Sequence, residues 1–235
     1  MTDNLHPFSV SPLPTNNTSQ PQLQPQSLNS PYPNGRNSSV KCLQINLRHS
    51  KNASLHLSQL LLDLNIDIAL IQEPYAVADP LPRLKYVPDD YVELHSLTAD
   101  HAYGAAVVAK KSLQAFAFPL NTPNSVAGVK VVPKKNELYF FSIYCRPGLQ
   151  IFDTFLNSFF SFLTPNIINK SVFCFDSNTK SPLWNSLTLD ARGRALEESL
   201  SNHCITIENV NSNFCLMYHP KRQLLMSLGP APLYG

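Results

Sequence analysis

The sequence predicts an α/β fold that mixes crossover units with hairpins, and three observations carry that expectation. Residues 41–72 run strand, helix, strand. Residues 91–145 break into short β-rich runs separated by turn residues. Residues 171–184, SVFCFDSNTKSPLW, lead an apolar strand directly into an acid and an amide. A strand–helix–strand unit favours parallel neighbours, whereas consecutive short strands favour antiparallel pairing.

Composition bounds what such a fold can be. The chain has 235 residues, of which 43% are hydrophobic and only 14% charged, with 20 prolines, so a polar, proline-rich part dilutes a globular one. That part is residues 1–40, rich in Pro, Asn, Gln and Ser, which reads as a disordered arm because it offers too little apolar surface to offset chain entropy. The formal charge of +2 excludes a generally polybasic protein, so any affinity for nucleic acid has to come from local clusters. Five cysteines contain no Cys-x-x-Cys pair and sit mostly in apolar runs, as expected of reduced core residues. No secretory signal and no membrane-length apolar segment is present, so the expected location is intracellular, in nucleus or cytoplasm, with no membrane partner.

The elements follow in order. Lys41–Asn46 has buried-strand character and ends in Asn46; leucines at 55, 57, 60, 61, 62 and 64 predict a helix over 52–65 packed on a sheet. Residues 67–72, DIALIQ, predict a central strand that delivers Glu73, and Pro74 then prevents the ladder from continuing. On this reading Asn46 and Glu73 lie at one rim of one sheet. Strands follow at 91–95, 104–109, 126–132 and 138–145, the last ending in Tyr144-Cys145-Arg146-Pro147. Residues 151–163, IFDTFLNSFFSFL, predict an apolar helix stopped at Pro165. After the strand at 172–175, Asp190 caps a further helix through Leu200, and weaker strands are expected at 205–210 and 214–218.

The chemistry lies at the strand ends. Asn46, Glu73, Tyr144 and the Asp176/Asn178 pair each follow an apolar run, and Asp176 and Asn178, two positions apart in extended chain, point the same way. A hard divalent ion is held by one or two carboxylates, several waters and substrate oxygens. Glu73 suits such an ion, Asp176 a base or orienter for attacking water, and the amides and the Tyr144 hydroxyl suit hydrogen bonds to a phosphate. Plainer roles exist for each: an Asx turn at 176–178, a turn former at Asn46, a solvated acid at Glu73, a half-buried ring at Tyr144. No glycine-rich phosphate loop, His-Glu-x-x-His helix or nucleophile elbow is present, which excludes the commonest nucleotide-binding, zinc-protease and serine-hydrolase designs.

The series QINL at Asn46, IQEPY at Glu73, IYCRP at Tyr144, FDSNTKSPLW at Asp176 and Asn178, and then DARGRALEESL resembles the endonuclease/exonuclease/phosphatase family. In finer detail it is similar to the apurinic-type endonuclease domain of jockey-like non-LTR retrotransposons. The resemblance spans residues 41–210 and implies a four-layer sandwich of two mixed β-sheets flanked by helices. It also implies a magnesium- or manganese-dependent phosphodiesterase that nicks double-stranded DNA to prime reverse transcription, with a reverse transcriptase domain in the full-length element that this sequence does not contain. By resemblance Glu73 and Asn46 are the metal residues, Tyr144 contacts phosphate, and Asp176 with Asn178 positions the nucleophile and the scissile group. Arg48, Arg146 and Lys180 are candidate nucleic-acid contacts, with Lys51, Arg192 and Arg194 as further cations able to follow a phosphate backbone.

Two departures stand out. The family's Gly-Asp-Phe-Asn is Phe175-Asp176-Ser177-Asn178 here, which keeps the functional pair; the later Ser-x-Ile-Asp strand and terminal Ser-Asp-His triplet have no counterpart. Residues 211–235 therefore read as an atypical tail on a C-terminally shortened domain, with one sheet edge uncovered and nuclease activity impaired. The alternatives are a catalytically inactive remnant that at most binds nucleic acid, and a phosphatase of the same family acting on a small phosphoester.

Overall fold

Alternation of side chains along the strands sorts the core into layers. The computed structural model describes residues 40–78, 80–98, 104–120, 125–133, 136–148, 151–207 and 224–227. Among these, β1 (Cys42–Asn46), β2 (Ile68–Gln72), β6 (Ala105–Lys110) and β5 (Tyr91–His95) form one sheet in the order β1-β2-β6-β5. The second sheet runs β11-β10-β9-β8-β7, from β11 (Leu224–Ser227), β10 (Ser171–Asp176), β9 (Leu138–Tyr144) and β8 (Val126–Val131) to β7 (Phe116–Phe118). A short hairpin of β3 (Ala76–Ala78) and β4 (Pro82–Leu84) leaves the first sheet after Glu73.

Both sheets are mixed, as expected. β1 and β2 are parallel around the helix α1 (Lys51–Asp63), with Asn46 opposite Gln72, so Asn46 and Glu73 do share a rim. β9 and β10 are parallel across α2 (Phe152–Ser161) and the single turn α3 (Pro165–Ile168), with Tyr144 opposite Asp176. The hairpin partners β2–β6, β5–β6, β7–β8 and β8–β9 are antiparallel. A fourth helix, α4 (Ala191–Asn202), is capped by Asp190, whose side chain accepts from Gly193 N at 2.6 Å.

Three apolar interlayers result. Leu43, Ala69, Ile71, Ala106 and Val108 face α1, where Leu57 and Leu61 meet them. Cys42, Ile68, Leu70, Val107, Val129, Phe140, Val172 and Cys174 fill the space between the sheets. Phe141, Phe173 and Phe175 face α2 and α4 and pack on Phe159, Phe160, Leu196 and Leu200. The period of two therefore builds helix, sheet, sheet, helix: a four-layer sandwich.

Some details differ from the sequence expectation. Leucines 55, 62 and 64 are exposed, because one helix face can meet only one sheet. The hairpin β3–β4 and the edge strand β7 were not foreseen, since each has only three residues and too little pattern to register. Residues 224–227, inside the stretch set apart as a tail, pair in parallel with β10. Residues 1–39, the expected strand at 214–218 and the end of the one at 205–210 lie outside the described residues, as do 208–223 and 228–235, where the missing C-terminal motifs would be sought.

Candidate active site

The inter-sheet face grades from apolar to polar along each parallel strand. On β1 the inward positions run Cys42, Gln44, Asn46, and on β2 they run Ile68, Leu70, Gln72. On β9 they run Phe140, Ser142, Tyr144, and on β10 Val172, Cys174, Asp176. The polar ends gather where the parallel strands finish, the usual place for a site in such sheets.

Below the rim, a buried row of amides ties the two sheets together. Gln72 Nε2 donates to Ser142 Oγ at 2.9 Å, and Ser142 Oγ donates back to the Ile71 carbonyl at 2.8 Å. Gln44 Nε2 reaches Gln72 Oε1 at 3.3 Å and the Phe175 carbonyl at 3.4 Å. These bonds join β1 and β2 of one sheet to β9 and β10 of the other directly beneath the acids. Sequence reasoning passed over Gln44, Gln72 and Ser142, although a lone amide or hydroxyl inside an apolar strand is the available signal.

At the rim, Asn46 Nδ2 donates to Glu73 Oε1 at 3.1 Å and to Asp176 Oδ2 at 2.5 Å. One amide thus bridges an acid from each sheet. Burial raises the Asp176 pKa above the ordinary carboxylate value and the Glu73 charge pushes it the same way, while the Asn46 hydrogen bond opposes both. The His49 ring closes the other side of Glu73, with Nε2 3.5 Å from Glu73 Oε2. Its Nδ1 lies 3.1 Å from the Pro74 carbonyl, a pure acceptor, so Nδ1–H donates there. His49 was not singled out from sequence, because it follows its strand in a loop with no pattern.

The backbone around these groups is unusual. Arg48, His49, Glu73 and Asn178 all have left-handed φ values, 48°, 54°, 46° and 49°, although none is glycine. Such conformations cost on the order of 1 kcal/mol or more each and persist only where the surroundings hold them. Here Leu47 N donates to Gln72 O, His49 N to Glu73 O, Arg48 N to Asn46 Oδ1 and Glu73 N to Gly104 O, at 2.8–3.0 Å.

Asn178 sits just past Asp176 and donates from Nδ2 to the Cys145 carbonyl at 3.2 Å. Tyr144 stands beside Asp176 in the register, but its ring is 4% exposed and belongs to the core between the sheets. Burial likewise pushes the Cys145 thiol up to about 12, which keeps it protonated. Arg48, Arg146 and Lys180 are exposed around the rim. Arg192 has a different place: its Nη2 donates to the carbonyls of Ser177 at 3.2 Å and Arg146 at 3.4 Å, and its guanidinium lies over Phe152 at 4.4 Å. It clamps the two loops that carry the site.

The RGRALEE stretch explains itself in the same way. Gly193 passes so close to the Lys180 carbonyl that a Cβ would lie 1.9 Å from the oxygen, so this position has room only for glycine. Ser181 Oγ donates to Glu197, and Trp184 Nε1 to the Thr179 carbonyl at 3.0 Å. The first turns of α4 thus hold the loop that follows Asp176 and Asn178.

Among the described residues no group of three or more His, Cys, Asp or Glu side chains gathers as a metal site. The residues fit a hard dication nonetheless, because such an ion needs only one or two carboxylates and completes its shell with water. Glu73 could supply one, with Asp176 close by, and the Asn46 amide now donates to both acids where positive charge would be attracted. Ligation by Asn46 would require its oxygen, which here accepts from Arg48 N.

Residues 138–226 match the family model described as endonuclease-reverse transcriptase. The structure is similar to the endonuclease domain of TRAS1, a telomere-specific non-LTR retrotransposon, with 27% sequence identity, 70% of each chain covered and a TM-score of 0.59. It also aligns with a humanized TDP2 of D. rerio, with 14% identity over 65% of this chain and 68% of that one and a TM-score of 0.44. An endonuclease/exonuclease/phosphatase family protein of Leptotrichia buccalis aligns at 16% identity over 47% of this chain and 55% of that one, with a TM-score of 0.31. No curated protein matches. The ordered motifs, the four-layer sandwich and the match to the TRAS1 domain together support an endonuclease domain of the endonuclease/exonuclease/phosphatase kind.

Proposed function

We propose that this domain is a divalent-metal-dependent endonuclease that nicks double-stranded DNA, and the observation that carries the reading is the meeting of Glu73 and Asp176 at one Asn46 amide. Magnesium or manganese, held by Glu73 with the Asn46 amide turned to present its oxygen, would supply Lewis-acid stabilisation of charge on the phosphate. Asp176 holds the attacking water and takes its proton at the carboxylate. The water oxygen bonds to phosphorus as the bond from phosphorus to the 3′ oxygen breaks, and that oxygen takes a proton from solvent, leaving a 5′ phosphate and a 3′ hydroxyl. Asn178, fixed by its bond to Cys145 O, donates its second amide hydrogen to the phosphate, and the Tyr144 hydroxyl is the further donor in this scheme. Arg48, Arg146 and Lys180 hold flanking phosphates. In a retrotransposon the 3′ hydroxyl would prime reverse transcription by a domain of the full-length element.

The test is conversion of supercoiled plasmid to nicked circles by folded full-length chain with magnesium or manganese, beside a Glu73→Ala control. The expected result is nicking by the parent alone, at a rate reduced by the shortened C-terminus. DNA binding without cutting by the folded parent would overturn the assignment in favour of an inactive remnant. Hydrolysis of a small phosphoester but not of DNA would overturn it in favour of a phosphatase.

A further inference from the structure

The loop after Asn178 carries a feature that the catalytic scheme does not use. Residues 181–189, SPLWNSLTL, contain no charge over nine positions. Leu187 is fully exposed, and Leu183 and Leu189 are exposed as well. Single exposed leucines are ordinary, but three on one short loop are a concentrated apolar surface.

The loop is held rigidly. Asp190 N donates to Lys180 O at 3.1 Å, which closes its neck, and Ser186 N donates to Ser181 O at 3.0 Å. Trp184 is buried among the phenylalanines and anchors the inner side through its bond to Thr179 O. Ser181 is tied to Glu197, and Gly193 lets α4 press against Lys180. A loop so pinned, with its leucines outside, presents them in fixed positions at no further ordering cost.

Its surroundings identify the occupant. The loop begins three residues beyond Asn178, so it is continuous with the proposed scissile site. Lys180 at its neck and Arg194 just beyond it are exposed cations, and Arg146 stands at the neighbouring strand end. The acids Asp190 and Glu197, which follow the loop, are engaged with Gly193 N and Ser181. An apolar tip between cations matches duplex DNA, in which apolar side chains wedge between base steps while lysine and arginine hold the phosphates. We propose that Leu187, flanked by Leu183 and Leu189, is a wedge that presses into a base step of duplex DNA beside the phosphate to be cut. The inference rests on the DNA-cleaving reading and adds to it a second contact, with the base stack.

The experiment uses full-length chain with EDTA, which prevents cutting, and duplexes carrying 2-aminopurine at successive positions, whose fluorescence rises when its neighbours unstack. The parent and Leu187→Phe are expected to raise it severalfold at one step, and Leu187→Ser to lose the rise and bind about tenfold more weakly. The salt dependence of binding should not change, because phosphate contacts remain. Leu187 is fully exposed, so these variants keep the fold, and thermal melting confirms it. Parent binding without a fluorescence change at any position, or Leu187→Ser matching the parent, overturns the wedge alone. An altered oligomeric state of Leu187→Ser with unchanged DNA binding also overturns it, in favour of a protein-docking loop. Absence of duplex binding by the folded parent, together with absence of nicking in magnesium, overturns the nuclease reading and the wedge with it.

Discussion

Glu73 and Asp176 come from different sheets and share a single hydrogen-bond donor, the Asn46 amide nitrogen, at 3.1 and 2.5 Å. Burial and the neighbouring Glu73 charge disfavour ionisation of Asp176, which destabilises the metal-free fold. Their juxtaposition costs stability and makes a place for a cation.

Asp176→Asn is therefore expected to stabilise the metal-free protein while abolishing nicking. Burial and Glu73 raise the Asp176 pKa, so the ionised form is the one the fold disfavours above the ordinary carboxylate range. Removing the charge should raise Tm by about 2–4 °C, the shift that ~1 kcal/mol gives in a domain of this size. Thermal melting at pH 7 without divalent ions, beside the plasmid assay, checks both halves; a lowered Tm would contradict this account.

The buried row beneath the acids should be sensitive to truncation. Gln72 is wholly buried and bonds to both Gln44 and Ser142. Gln72→Ala leaves partners unsatisfied and opens a cavity, for an expected loss of about 2–4 kcal/mol, measurable as a shift in urea midpoint. Nicking should fall along with it, because the row fixes the separation of the sheets that carry Glu73 and Asp176.

Gly193→Ala is expected to loosen the loop after Asn178. The added Cβ would stand 1.9 Å from the Lys180 carbonyl, so α4 or the loop has to move. A loss of about 1–3 kcal/mol follows from overpacking of this kind. Limited proteolysis should then cut between residues 180 and 190 faster than in the parent, and equal rates would show that α4 does not brace the loop.

Acid sensitivity should trace in part to His95. Burial lowers its pKa from 6.5, and the nearby Glu93 only partly opposes this. The unfolded chain takes up a proton near 6.5 while the folded chain does not, so stability is lost as pH falls from 6.5 toward the depressed folded value. His95→Gln should flatten the dependence of urea midpoint on pH in that window and leave it unchanged above pH 7; an unaltered slope would rule His95 out.

The sequence by itself determined the principal strands and the polar groups at their ends. Near-continuous apolar runs in β2, β9 and β10 specify strands buried on both faces, and the acid or amide at or after the ends of β1, β2 and β10 marks where a strand reaches solvent. These are local properties, written within five or six residues. Only the tertiary structure decided which ends meet. Asn46 and Asp176 are 130 positions apart, and their contact depends on how two sheets pack face to face, which no local period encodes. The same non-local packing buries the Tyr144 ring, turns Arg192 from a backbone-following cation into a clamp on two loops, and brings His49 to Glu73. It also set Gln44, Gln72 and Ser142 in one row, because an amide inside an apolar strand finds its partner only when the opposite sheet arrives.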